Sequence, residues 1–332
     1  MEIFSSNITK QLLKLIIILI IGLSLGHTSI KSDYKHLKDI NNDAYVYIEV
    51  ADSGFSAISN DHRSTRLLIP ITAHYLSKLN PFHGKYNKPQ TNLFLVSLII
   101  FTITTYFLIH FIKNEDENAV AFIAIISFYL HFITINQYFL GLPDSLEFLC
   151  SLFLFYILIN DKYKYMLPLF VLAALNRESF FLFAFPLIFV WSLFLVEKSK
   201  KIHCLIYGSI GTILFLLIVF FIKNTLQGNY ETFTSGTLQL IDFNKFKMFT
   251  NIDQIRNLLY STILLIPLGL IGLYNNKKYF FAALTIIIVY FIICGLFVGS
   301  GAALGRYLFS SVGPILILGQ AKFLFFLFRK SI

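Results

Sequence analysis

The chain has 332 residues, of which 56% are hydrophobic and 14% charged, with a formal net charge of +9 and a mean hydropathy of +0.71. Soluble globular domains carry about 25% charged residues, so composition excludes an ordinary soluble enzyme and indicates an all-α, multi-pass membrane protein. The Lys and Arg residues fall in short clusters between apolar runs, a pattern that orients membrane segments and does not form a nucleic-acid patch.

In chain order, residues 12–26 form an apolar run with Lys10 and Lys14 at its start and no small-residue cleavage site. It reads as an uncleaved first helix with the N-terminus in the cytoplasm. Residues 28–91 then lie on the outer face. Within them, residues 67–79 (LLIPITAHYLSKL) are apolar but too short to cross a hydrocarbon core of about 30 Å, and read as an interfacial helix.

Further spans are expected at 92–112, 119–139, 145–160, 166–175, 180–196, 202–222, 258–274, 280–298 and 307–328, about ten in all. The whole chain, 1–332, reads as one polytopic domain with outer-face loops at 28–91 and 223–257. The turns expected inside carry Lys113, Lys162, Lys164, Lys198, Lys200, Lys201, Lys277, Lys278, Arg329 and Lys330, which also places the C-terminus in the cytoplasm. Cys150, Cys204 and Cys294 each lie within an apolar run and read as small core residues, not as a disulfide framework or a metal site.

The charges of interest collect on the outer side. Residues 41–70 (NNDAYVYIEVADSGFSAISNDHRSTRLLIP) hold Asp43, Glu49, Asp52, Arg63 and Arg66. Asp144 and Glu147 stand three residues apart at the start of a span, on one helical face. Arg177 and Glu178 follow the short run 166–175, and Arg306 follows the glycine-rich turn GSGAALG. Ionisable groups near membrane depth are costly and face a cavity or a partner. Plainer readings stand beside these: Asp144 as a helix cap, Arg177 and Glu178 as an ion pair with each other, and Arg306 as a headgroup anchor. No GxxxxGK[ST], HExxH, GxSxG or CxxC pattern occurs, so nothing supports soluble nucleotide or protease chemistry.

Taken together, DAYVY (43–47), RSTRLLIP (63–70), LPDS (142–145), NRES (176–179) and GRYLFSSVGP (305–314) resemble the GT-C superfamily. These are integral-membrane glycosyltransferases that use polyprenyl-phosphate-linked sugars, and include the protein O-mannosyltransferases and the lipid A aminoarabinose transferases. The resemblance implies many transmembrane helices, with interfacial helices after the first span. It also implies an acidic residue in the first outer loop at the active site, best matched by Asp43, with Asp33, Asp39, Glu49 and Asp52 as neighbours.

A carboxylate there would take the proton of an attacking acceptor hydroxyl. Arg66, Arg177 and Arg306 would stabilise the departing phosphate, with Arg63 close by in sequence. Asp144, Glu147 and Glu178 would orient those cations or hold sugar hydroxyls. The first loop contains no D-x-D, which leaves a divalent cation (Mg or Mn) open and not required. The implied function is transfer of a sugar to a cell-envelope glycan or lipid at the outer face of the cell (inner) membrane, with membrane lipids as further partners. A transporter or flippase of lipid-linked sugars and a glycan polymerase are the alternatives.

Overall fold

The computed structural model describes residues 7–33, 43–57, 66–79, 88–115, 117–226, 243–262 and 264–330, and every regular element among them is a helix. The chain runs through α1 (Asn7–Asp33), α2 (Asp43–Ser53), α3 (Leu68–Leu79), α4 (Pro89–Glu115), α5 (Asn118–Leu130), α6 (Phe132–Asn136) and α7 (Asp144–Ile159). It continues through α8 (Met166–Asn176), α9 (Phe180–Val190), α10 (Lys198–Leu226), α11 (Ile252–Thr262), α12 (Leu265–Leu273), α13 (Lys277–Ile293) and α14 (Gly301–Lys330). A helix satisfies its backbone hydrogen bonds within itself, which is what a bilayer demands of a single segment.

Among the described residues five helices are long and apolar enough to cross a membrane: Gln11–Ser29, Pro89–Asn114, Lys198–Ile222, Lys277–Val298 and Gly301–Arg329. A sixth is added if the pair Ile252–Tyr260 and Leu265–Leu273, bent by 54°, counts as one span. This corrects the expectation of ten spans, because apolar runs that look continuous in the sequence are broken in the structure. The run 119–139 breaks at His131, whose backbone is extended (φ −67, ψ 136) and whose ring accepts the amide of Ile133. With 16 and 11 residues, α7 and α8 reach only about 24 and 17 Å at 1.5 Å per residue, and α9, which runs on as a π-helical turn to Leu195, is also short of a core of about 30 Å. The apolar surface of α7 is covered by protein instead, every residue but Phe153, Tyr156 and Ile159 being buried, whereas α9 leaves Phe185 and Phe189 exposed.

The long helices have the opposite character. Leu12, Ile16 and Ile20 on α1, and Ile213, Leu217, Phe220 and Phe221 on α10, are exposed, an apolar outer surface suited to lipid and not to water. The core is aromatic: Phe148 packs 5.1 Å from Phe128 and 5.0 Å from Phe309 between ring centroids, and Phe101 lies 5.8 Å from Phe128. Cys150, Cys204 and Cys294 are free thiols within this interior. The hydroxyl of Tyr138 lies within hydrogen-bond reach of Thr104 Oγ1 (2.9 Å) and the Ser145 carbonyl (3.2 Å), so a fully buried phenol is satisfied.

The described residues of 43–57 and 66–79 supply two short α-helices; the apolar pattern marks the second, and the resemblance implies interfacial helices in this loop. α3 appears as a 12-residue helix where an apolar segment was expected, and α2 precedes it. The turn between them passes through Gly54 (φ +66), over which the His74 ring lies within 3 Å of where a Cβ would stand. His74 Nδ1 sits 3.2 and 3.1 Å from the carbonyls of Ala51 and Asp52, joining α3 to α2.

α12 and α14 cross at backbone contact. A Cβ on Gly272 would stand 1.8 Å from the Gly319 carbonyl oxygen, and one on Gly319 would stand 2.1 Å from that of Gly269. Small residues let helices in a membrane approach this closely. Gly272→Ala is therefore expected to lower thermal stability in detergent by about 1–3 kcal/mol or more. Gly211→Ala, whose Cβ would meet only the Phe170 ring at 3.0 Å, is expected to cost less; thermal melting of both variants checks this.

Candidate active site

Three connections bring charged residues to one end of the bundle. α7 opens with Asp144 and Glu147, α8 ends at Asn176, Arg177 to Ser179 lead into α9, and Arg306 lies in the second turn of α14. Asp144 is not a cap: its carboxylate turns away from its own backbone to bind two arginines. Arg177 NH1 donates to Asp144 Oδ1 at 2.7 Å and to Glu147 Oε2 at 2.9 Å, and Arg306 NH2 donates to Asp144 Oδ2 at 2.6 Å. The Arg177 guanidinium also lies over the Tyr307 ring, 4.6 Å from its centroid, a cation–π contact that strengthens when desolvated.

Glu147 is wholly buried and fully engaged. Besides Arg177 it accepts the hydroxyls of Ser179 (2.9 Å) and Ser310 (3.1 Å). One turn further along α7, the Ser151 hydroxyl lies 2.8 Å from the carbonyls of both Glu147 and Ser310. Asn176 Nδ2 donates to the Pro143 carbonyl at 2.9 Å, locking the end of α8 to the start of α7. The Nε of Arg177 is buried with no hydrogen-bond partner among the described residues.

Arg66 forms a second centre. The amide of Leu67 donates to the Leu175 carbonyl at 3.0 Å, fixing the chain before α3 against the end of α8. Arg66 NH2 then reaches Glu178 Oε1 at 3.0 Å and Nε reaches Oε2 at 3.4 Å, a two-point contact, while NH1 donates to the Tyr47 hydroxyl of α2 at 3.2 Å. Arg177 and Glu178, adjacent in sequence, thus pair with different partners and not with each other.

Burial opposes ionisation of Glu178, yet the neighbouring Arg66 charge and its hydrogen bonds hold the carboxyl down to about 2. A carboxyl depressed from 4.5 stabilises the fold fully above that value and loses the contribution as pH falls through about 2. The Arg66–Glu178 contact is therefore intact across neutral and mildly acidic conditions.

The structure brings together Arg66, Asp144, Glu147, Arg177, Glu178 and Arg306. Asp43 is the first residue of α2, the helix that carries Tyr47; its side chain, like Arg63 and Asp39 altogether, falls outside the described residues. Glu49 and Asp52 are exposed on α2. Tyr47, Ser179, Tyr290, Tyr307 and Ser310 belong to the site and were not singled out from the sequence. Four of the five sit in or beside the charged motifs, but nothing in an uncharged side chain's identity announces that it will hold a buried carboxylate. Tyr290 stacks on Tyr307 at 5.6 Å from within α13.

Among the described residues no group of three or more His, Cys, Asp and Glu is placed to hold a metal ion. Asp144 and Glu147, the close acid pair, are already neutralised by Arg177 and Arg306, so their oxygens do not form a vacant cation cradle.

The side chains grade in accessibility. Arg177 is 4% exposed and Arg66 9%, whereas Arg306 is 19% and Glu178 32%. An entering anion would meet Arg306 before Arg177, and a polar ligand would meet Glu178 before Glu147. No protein-family profile, curated protein or solved structure matches the chain.

Removing one partner of a buried ion pair leaves an uncompensated charge and costs about 3–5 kcal/mol. Arg177→Ala is expected to lose stability of that order, and the double variant Arg177→Ala/Glu147→Gln is expected to recover part of it. Ser179→Ala is expected to cost about 1–3 kcal/mol by leaving a Glu147 oxygen short of a donor. Thermal or denaturant unfolding of the detergent-solubilised protein measures all three.

Proposed function

We propose that the protein is an integral-membrane glycosyltransferase that moves a sugar from a polyprenyl-phosphate donor to a glycan or lipid acceptor of the cell envelope. The observation that carries this reading is the gathering of Arg66, Arg177 and Arg306 at one end of an apolar bundle, beside a groove suited to a lipid tail. That groove, of about 550 Å³, is lined by Leu67, Leu68, Ile71, Leu175, Leu217 and Phe221, among others. It begins one residue from Arg66 and is almost wholly apolar, as a polyprenyl chain would require.

In the proposed reaction the acceptor hydroxyl attacks the anomeric carbon. Its oxygen forms the new glycosidic bond while the bond from that carbon to the phosphate oxygen breaks. Asp43, at the start of α2, takes the hydroxyl proton. The electron pair leaves with the polyprenyl phosphate, whose growing negative charge is met by fixed cations.

The arginines divide this work. Arg306, the most exposed of the three, is assigned the direct contact with phosphate. Arg177, buried between Asp144 and Glu147, is a positioning residue that fixes the Asp144 carboxylate and through it Arg306. Arg66 is held by Glu178 and Tyr47 at the groove end. Arg63 is assigned to the same loop, and no metal step is invoked.

We further assign this end to the outer face of the cell (inner) membrane and both termini to the cytoplasm. The opposite end carries Lys162, Lys164, Lys198, Lys201, Lys277 and Lys278 at its turns, which agrees with the excess of basic residues on cytoplasmic loops. A flippase would instead need polar groups along the path between the two ends, whereas the described ion pairs gather at the ends.

Arg306→Gln is expected to lower transfer by about 100-fold or more with unchanged protein level, and Asp43→Asn to lower it by about 100-fold or more through loss of the base. Profiling the envelope glycans of a strain that carries each variant as its sole copy reads the outcome. Wild-type product from both variants at normal protein level would sink the proposal.

A further inference from the structure

Between α5, α6, the bend that joins α11 to α12, and α14 lies a cavity of about 580 Å³, within the roughly 300–1,000 Å³ typical of small-molecule sites. Ile123, Leu265 and Leu324 give it apolar walls, and Ser127, His131 and Gln320 are polar members of its lining. Among the described residues that line it there is no Asp, Glu, Lys or Arg. Leu130, Leu264 and Phe328 also border it and are 69%, 60% and 60% exposed. An opening framed by such side chains admits molecules from lipid and not from water.

Most polar groups of the lining are already engaged. The His131 ring stacks 4.2 Å from Phe309 and accepts the Ile133 amide, while Asn136 and Thr262 donate to the carbonyls of Phe132 (2.9 Å) and Leu258 (2.7 Å). The Gln320 amide and the Ser127 hydroxyl differ, having no hydrogen-bond partner among the described residues. By comparison, Thr102 and Thr104 on α4 return their hydroxyls to carbonyls one turn back.

Their depth limits what can reach them. Arg329 NH1 stands 3.9 Å from Glu117 Oε1, which sets the end of α14 level with the start of α5. Gln320 is nine residues before Arg329 and Ser127 ten residues after Glu117, about 14 and 15 Å along their helices at 1.5 Å per residue. The polar layer of a bilayer is roughly 5–8 Å thick on each side, so both groups lie at the depth of acyl chains, beneath the phospholipid headgroups. An unpaired amide is costly there, and a charged ligand group brought to the same depth costs more.

We infer that this cavity binds a neutral, single-chain lipid, its alkyl chain against Ile123, Leu265 and Leu324 and its hydroxyl or ester carbonyl hydrogen-bonded to Gln320 and Ser127. Three features commit the cavity to that occupant. The apolar opening selects a lipid-soluble molecule. The lining, without a carboxylate, ammonium or guanidinium, offers no counter-charge to an ionic head. A primary amide both donates and accepts, so it matches a hydroxyl or a carbonyl equally. The site is independent of the proposed glycosyl transfer, since it shares no residue with the arginine cluster or its groove.

The test is native mass spectrometry of the full-length protein in detergent, with monooleoylglycerol and oleoyl lysophosphatidic acid added separately. These probes share the chain and the glycerol and differ by the phosphate. Wild type is expected to retain monooleoylglycerol, and Gln320→Leu, which keeps the bulk and removes the amide, is expected to lower that retention about fivefold, the worth of one net hydrogen bond. Ser127→Ala is expected to lower it in the same direction and serves as the readout if Gln320→Leu does not fold. Ile126→Trp, at a lining position 40% exposed, is expected to block the cavity without touching either polar group. Retention of lysophosphatidic acid is expected to be the same in wild type and all three variants, because any phosphate site, including that of the proposed donor, lies elsewhere. No retention of monooleoylglycerol by wild type, retention unchanged in both Gln320→Leu and Ser127→Ala, or an equal loss of both probes in Ile126→Trp would each overturn the assignment.

Discussion

The guanidinium of Arg177 is the group around which this bundle is arranged. A cation that is 4% exposed in an apolar interior is tolerable only when neutralised and hydrogen-bonded. It obtains both from α7, through Asp144 and Glu147, which lie on one face because they are three residues apart. That requirement sets the register of α8 against α7. Asp144 then recruits Arg306, and Glu147 recruits Ser310, so α14 is registered by the same two carboxylates. A short helix such as α8 has too little apolar surface to choose its depth by hydrophobicity alone. The ion pairs choose it.

Arg66 extends the arrangement to the segment before α3. Its two-point contact with Glu178 and its bond to Tyr47 join α2, the connection into α3 and the α8–α9 turn, three pieces that otherwise meet through few polar contacts. The consequence for chemistry is that Arg66, Arg177 and Arg306 are already balanced by carboxylates. A phosphate arriving there, on the proposed reading, exchanges partners with Asp144 or Glu178 and does not fill an empty positive pocket. Such exchange favours the more exposed members of the network, Arg306 and Glu178, and leaves the buried pair as a rigid support.

The two ends of the molecule are built differently. One is a closed network of ion pairs, serine hydroxyls and tyrosine rings. At the other, Asp161, in the turn after α7, adopts a left-handed backbone (φ 55) and accepts from Tyr163 close by and from Lys200 on α10, and the surrounding lysines are mostly exposed. Between the ends the long helices present Ile, Leu and Phe outward, whereas α7 is sheathed by protein along most of its length. This division explains why the described residues of so apolar a chain include five or six helices of spanning length and not ten: part of the hydrophobic sequence covers other protein and not lipid.

The membrane character and the all-α class follow from the sequence alone, because apolar composition and segment length are local properties of the chain. The sequence also marked residues 67–79 as an apolar segment too short to cross, and α3 occupies that stretch. It did not disclose the number of spans, since a break such as that at His131 depends on backbone geometry inside a continuous apolar run. The apolar pattern did not place α2, whose apolar and acidic residues alternate too irregularly to mark a helix. Nor did it pair the charges: neighbours in sequence, Arg177 and Glu178 look like natural partners, yet successive residues leave the backbone in different directions at the α8–α9 turn and meet α7 and the α3 connection respectively. Ser179, Ser310 and Tyr47 entered the site for the same reason, that a buried carboxylate or guanidinium takes its remaining hydrogen bonds from whatever polar groups the tertiary packing brings within 3 Å.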